Sequence, residues 1–285
     1  VVRHAIDCGC DPLIAIQMAT INTACHFGME RELGSITPGR RADFIVTSSI
    51  DDLPIDVVFA RGERVAENGK LLTKCPHYEW PQTVRETVNL GKKLEPKDFV
   101  ISSPTGVSSV KAKVIGVIEN QAPTKALEFD LPVEQGKVQV EGDVCYLSLV
   151  ERHRGTGAVV NGFVSGFGYT GSMAIASSVA HDSHHMIVAG TNQEMMASAA
   201  NRLGEVGGGV SLWKDGAEVA LVELPIAGLM SDSKASEVAV KAQAIVSAMI
   251  DCGCTLNNAY MQHTLLALVV IPELRISDLG LVDVN

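Results

Sequence analysis

The sequence predicts a mixed α/β and α+β protein in two parts. A helical opening passes into a small β unit, and a larger α/β domain with a mixed or antiparallel sheet follows. Three observations predict this. The 285 residues suit about two domains. Ile14, Met18 and Ile21 recur at helical spacing, whereas the chain beyond Ala112 breaks into short β-forming runs separated by turn residues. Helices and strands in that later part do not alternate one for one, which argues against a βαβ repeat.

The opening stretch, Val1–Cys8, reads as the tail of a helix stopped at Gly9. Asp11 caps a second helix with Pro12 in its first turn, and Asn22–Phe27 make a further short helix. Together these form a helical part over 1–33. Residues 34–74 change character: GSITPGRRADFIV is a turn at Pro38-Gly39 feeding the strand Phe44–Val46, with Asp43 closing the corner. VVFARGERVAENGKLL is hairpin-like, and Asn68-Gly69 is a tight-turn signal. A polar, Pro-punctuated linker spans 75–97, with one short helix expected around Val84–Leu90.

The larger domain, 98–285, is expected to hold strands at Ala112–Ile118, Leu127–Leu131, Lys137–Val140 and Val144–Val150. Thr191–Glu194 matches a capping box opening a helix whose buried face is Met196, Ala199, Ala200 and Leu203, stopped by Gly207–Gly209. Asp215-Gly216 joins a hairpin over 210–223. A long helix then runs to about Asp251 on a stripe of Val238, Ala242, Ile245 and Met249.

Composition excludes some functions. A hydrophobic fraction of 46% and mean hydropathy of +0.19 supply ample core. A net charge of −10 without any basic run argues against nucleic acid as a partner. The longest apolar run, near Leu265–Ile271, is too short to cross a bilayer, and no secretory leader pattern opens the chain. The seven cysteines show no CxxC spacing, which fits a reduced, cytoplasmic compartment. The string IDCGC occurs twice, ending at Cys10 and Cys254, and in each copy the glycine reads as a helix stop rather than half of a metal site. The chain opens at Val1 in mid-helix without Met or cap, as expected of a piece whose N-terminal part precedes it.

The densest chemistry lies in ASSVAHDSHHMIVAG, residues 176–190. Two buried strands, Ala174–Ala180 and Met186–Ala189, are expected to meet at a polar bend of three imidazoles and a carboxylate. An extended bend places His181 and His185 on one side, with Asp182 and His184 on the other. A helical turn instead gathers His181, His184 and His185. Either arrangement could bind a divalent metal or move protons near neutral pH. Alternatively these are hydrogen-bonded core groups that fix the bend. Gly162, Gly166 and Gly168 do not make a phosphate loop, because no strand–GxGxxG–helix unit surrounds them. The HxE and PCxxC signature of zinc nucleobase deaminases is missing, and Cys75-Pro76 has the reverse order.

Two resemblances bear on function. DPLIAIQMATINTACHFGM with LGSITPGRRADFIV resembles the closing section of the metal-dependent amidohydrolase superfamily, in which a (β/α)8 barrel gives way to a small β-sandwich. ERHRGTGAVVNGFVSGFG, ASSVAHDSHHMIVAGTN, LPIAGLMSD and IPELRISDLGLVDV resemble the C-terminal domain of the bacterial adenine deaminase family. The chain departs from that family's HDSHN pattern, carrying His185 in place of Asn. The resemblance implies that 1–33 are terminal helices of a truncated barrel and 34–74 a β-sandwich segment. It implies hydrolysis of adenine to hypoxanthine and ammonia by metal-activated water, with a binuclear manganese or iron centre held by barrel residues upstream of Val1. No metal ligand is therefore expected within this chain, and the chain alone is expected to be inactive. His181, Asp182 and His184 are the expected catalytic contributors, and Glu151, His153 and Asp232 the expected substrate contacts. A homo-oligomer is expected. Two other readings stay open: a different amidohydrolase with the same β-sandwich closure, and a non-catalytic interaction module.

Overall fold

The computed structural model describes residues 1–74 and 78–284, so Cys75-Pro76 lies outside the described residues. The chain forms two compact units, Val1–Glu79 and Trp80–Asn285.

The first unit opens with α1 (Val2–Asp7), α2 (Pro12–Gln17) and, after one π-helical turn at Met18–Asn22, α3 (Thr23–His26). Asp11 caps α2 through its side chain, accepting from the Ile14 amide at 3.1 Å. A four-stranded antiparallel meander follows in the order β1 (Phe44–Val46), β2 (Val57–Ala60), β3 (Glu63–Glu67), β4 (Lys70–Leu71). Its two tight turns, Arg61-Gly62 and Asn68-Gly69, have positive φ at both central residues, the twist that suits a two-residue hairpin. Asp43 closes the corner before β1, accepting from the Arg61 amide at 2.7 Å and from Arg41 Nε at 2.5 Å.

The second unit is a mixed α/β fold built on one large sheet. Short α4 (Gln82–Arg85) precedes β5 (Ser109–Val117), β6 (Thr124–Glu134), β7 (Lys137–Val138), β8 (Val144–Val150), β9 (Val159–Ser165), β10 (Met173–Ser177) and β11 (Met186–Gly190). Then come α5 (Gln193–Val206), β12 (Gly209–Lys214), β13 (Ala217–Glu223), α6 (Ala235–Asp251) and α7 (Ala259–Leu265). A terminal hairpin, β14 (Leu274–Ser277) and β15 (Gly280–Asp283), ends the unit. The nine-stranded order is β13-β12-β10-β11-β8-β9-β5-β6-β7. All neighbours are antiparallel except β5 and β9, which run parallel with Ile115 opposite Val164.

Both faces of this sheet are covered. Along β10 and β11, Ile175, Ile187 and Ala189 point into a core shared with α6, α7 and β14, whereas Ala174, Ala176 and Val188 point into a core shared with α5. All seven residues of β8 are buried, which explains why VCYLSLV is apolar at every position but Ser148 rather than alternating. The polar stretch after Trp80 belongs to this unit: Leu90 and Leu94 are buried in the α5-side core, and its helix is Gln82–Arg85, earlier and shorter than the expected 84–90. Both IDCGC copies end helices, with Gly9 and Gly253 at φ +96° and +93°. No described helix is long and apolar enough to cross a membrane.

Candidate functional site

The β10–β11 hairpin is in register from Ala174↔Gly190 to Ser177↔Ile187, leaving Ser178–His185 as the bend. Serines turn the chain out of β10. Ser177 Oγ accepts from the Val179 amide at 3.1 Å, and Ser178 Oγ donates to the Gly228 carbonyl at 2.6 Å while accepting from the Gly209 amide at 2.7 Å. Beyond them the His181 amide donates to Thr264 O on α7 at 3.1 Å, and the His184 amide returns to Ala180 O at 2.7 Å. His184 sits in the left-handed region at φ +50°.

This turn sorts the imidazoles into two pairs. His181 and His184 lie edge to face with ring centroids 5.3 Å apart. His185 turns away and packs against His153 from the β8–β9 loop at 4.8 Å. The outcome matches neither the extended grouping nor the gathering of all three. His153 Nε2–H donates to Ser183 O at 2.8 Å, tying the β8–β9 loop to the bend.

Arg152, 1% exposed, holds the arrangement together. Its Nε donates to His184 O at 2.5 Å, one terminal nitrogen to Thr87 O at 3.2 Å and the other to Ala227 O at 3.2 Å. Three segments far apart in sequence are thereby joined by one planar guanidinium. Gly228 lets the guanidinium approach, since a Cβ there would stand 2.7 Å from an Arg152 terminal nitrogen.

Glu151 serves its own loop. One carboxylate oxygen accepts from the amides of His153 at 2.5 Å and Arg154 at 2.7 Å, and the other from the amide and hydroxyl of Thr156, both at 3.0 Å. Burial works to raise its pKa, but these four hydrogen bonds prevail and hold the carboxyl at about 2. Asp232 accepts from Arg85 at 2.6 Å, in the segment that Arg152 joins to the bend through Ala227. Asp182 and Ser183 are exposed at the tip.

Two of these imidazoles, His184 and His185, are shifted toward the neutral form. Burial lowers the pKa of His184, and the neighbouring His181 and Arg152 lower it further. Burial and His153 likewise lower His185, with Asp278 offsetting part of the effect. The Ala180 amide donates to His184 Nδ1 at 3.3 Å, so the neutral ring carries its proton on Nε2.

Metal binding does not fit this arrangement. Among the described residues no three His, Cys, Asp or Glu side chains converge as ligands, and His153 Nε2 and His184 Nδ1 are committed to protein partners. What the bend offers is hydrogen bonding by the His184 imidazole, which burial holds toward its neutral form and the Ala180 amide orients. Sequence reasoning missed three residues that matter. Arg152 sits in a polar string that reads as surface. Asp278 approaches His185 Nε2 at 3.8 Å from the β14–β15 turn. His263 is fully buried on α7 beside Phe167. Only a clue to Arg152 was legible, as the second of two charged residues, Glu151 and Arg152, that follow a strand rich in apolar residues.

Comparison with known proteins gives two family matches. Residues 121–285 match the adenine deaminase C-terminal domain, and residues 1–65 match the amidohydrolase family. Over 285 residues the chain is 70% identical to a protein named adenine deaminase from Roseobacter denitrificans, covering all of this chain and 48% of that one. A Ruegeria pomeroyi protein of the same name is 71% identical over 288 residues, with the same coverage. One from Moorella thermoacetica is 44% identical over 285 residues, covering 99% of this chain and 48% of its own. The chain thus spans about half the length of the curated relatives it matches.

Proposed function

The chain belongs to the family defined by the adenine deaminase C-terminal domain, and from that premise we propose that it works as the C-terminal half of an enzyme that hydrolyses adenine to hypoxanthine and ammonia. The observation that carries this reading is the 70% identity to a relative of that name, which runs across all 285 residues, the imidazole bend included. In this reading α1–α3 close a (β/α)8 barrel and the β1–β4 meander is part of its β-sandwich. A divalent metal, manganese or iron in a two-metal centre, is held by residues outside this chain. The enzyme is cytoplasmic and self-associates, and its partner is adenine rather than nucleic acid or membrane.

The part played by this chain is to hold and orient the purine. His184, neutral and with its proton on Nε2, is a hydrogen-bond donor for a purine ring nitrogen, and Arg152 fixes its backbone. His181 and Asp182 complete a polar rim able to hold a proton near the departing amine. Glu151 and His153 support the rim by shaping the β8–β9 loop, and Asp232 does so through Arg85.

The test is kcat/KM for adenine, read as ammonia release, in a protein of the relatives' full length. His181→Ala and His184→Ala are each expected to lower it about tenfold or more, the worth of one lost hydrogen bond. Parent-like rates in folded variants would remove the rim from the reaction. A parent enzyme that releases no ammonia from adenine would remove the activity itself.

A further inference from the structure

Beside the bend lies a cleft of about 460 Å³, within the size range of small-molecule sites. Its apolar wall is Leu149, Ala158 and Val160, and its polar wall brings His153, Arg154 and Asp278 up to His185. These groups come from four separate places: β8 with the loop after it, β9, the bend and the β14–β15 turn.

Three features indicate a ligand rather than a packing defect. His185 is only 8% exposed, yet its Nδ1 has no hydrogen-bond partner, an uncommon state for a buried polar atom. Its Nε2 stands 3.8 Å from the Asp278 carboxylate, too far for a direct hydrogen bond. The His153 and His185 rings, 4.8 Å apart, add aromatic surface to the apolar wall.

The chemistry of the lining narrows the ligand. Glu151 and Asp278 outnumber Arg154 in charge, and burial shifts His185 toward its neutral form, so an inorganic anion is disfavoured. A metal cation is disfavoured because no three ligands converge among the described residues. A purely apolar guest would strand Asp278 and His185 without partners. A neutral, planar heterocycle with apolar faces and both donors and acceptors on its edge satisfies every wall. We propose that this cleft binds a free aminopurine base, its ring against the His153–His185 pair, its exocyclic amino group donating to Asp278 and a ring nitrogen accepting from Arg154. The choice of a purine among such heterocycles rests on the deaminase reading above, whereas the cleft's preference for an amino-bearing heterocycle rests on its own lining.

Calorimetric titration of the 285-residue chain tests this, with adenine, hypoxanthine and inorganic phosphate as probes. Adenine is expected to bind saturably at one site, and hypoxanthine, which lacks the amino donor, about tenfold or more weakly. Asp278→Asn, at a half-exposed position, and His185→Ala are each expected to weaken adenine at least about tenfold. The proposal is overturned by no adenine binding, by adenine binding that both variants leave unchanged, or by binding of phosphate in place of adenine. The outcome is separable from that of the deaminase reading, which stands or falls on ammonia release by the full-length enzyme. Turnover there without binding here removes the cleft alone, and binding here without turnover removes the activity alone.

Discussion

A fully buried imidazole makes stability depend on pH, and His263 is such a residue. It is 0% exposed and neither ring nitrogen has a partner with hydrogen-bond geometry. Burial drives its pKa down to about 4, offset in part by the backbone of Ile187. Because the folded value lies below the ordinary one near 6.5, the unfolded chain takes up the proton first. His263 therefore favours the fold fully above about pH 6.5, and that contribution is lost as pH falls toward 4, amounting to about 3 kcal/mol. Urea unfolding of His263→Leu across this window should show a flatter pH profile than the parent, and an unchanged slope would refute the assignment. At this scale the sequence shows which residues carry chemistry but not what they touch. Glu151 reads as a ligand for substrate and is spent on its own loop; His185 reads as one of three clustered imidazoles and pairs instead with His153.

Local chain signals placed the elements well, and the opening of α5 shows where they stop short. Thr191 was expected to start a capping box with Glu194. The cap is Asn192, whose side chain accepts from the amides of Glu194 at 2.9 Å and Met195 at 3.1 Å. Thr191 instead ties the end of β11 to the start of β10, donating to Gly171 O at 2.6 Å and accepting from the Met173 amide at 3.1 Å. Thr and Asn are both good caps, so the pattern alone leaves two frames, and the sheet takes the first hydroxyl. Asn192→Ala should cost about 1 kcal/mol, measured as a shift of the urea midpoint with unchanged slope. A neutral result would mean that the helix is held by packing of Met196, Ala199, Ala200 and Leu203 alone.

For the molecule as a whole, the two units differ in how much core they own. Trp80–Asn285 buries two apolar clusters, one on each face of its sheet. In Val1–Glu79 the buried apolar residues among those described are Ala15, Ala24 and Leu53, while Leu13, Ile14, Met18, Phe27 and Ile36 are exposed. A domain of this size with so little burial has scant stability of its own. Scanning calorimetry should therefore find one cooperative transition in a protein of residues 80–285 and none in residues 1–79. A sharp transition in the shorter piece would show that its helices and meander need nothing more to cover them. By itself the sequence determined the helix stops at Gly9 and Gly253, the tight turns, the buried strands and the polar bend between β10 and β11. Each of these is written in neighbours a few residues apart, where backbone sterics and side-chain period act directly. Only the tertiary structure decided how the imidazoles pair, what Arg152 clamps and that Asp278 meets His185. Arg152 bonds partners 32, 65 and 75 residues away, and contacts at such separations are set by strand order and packing, on which local periodicity has no bearing.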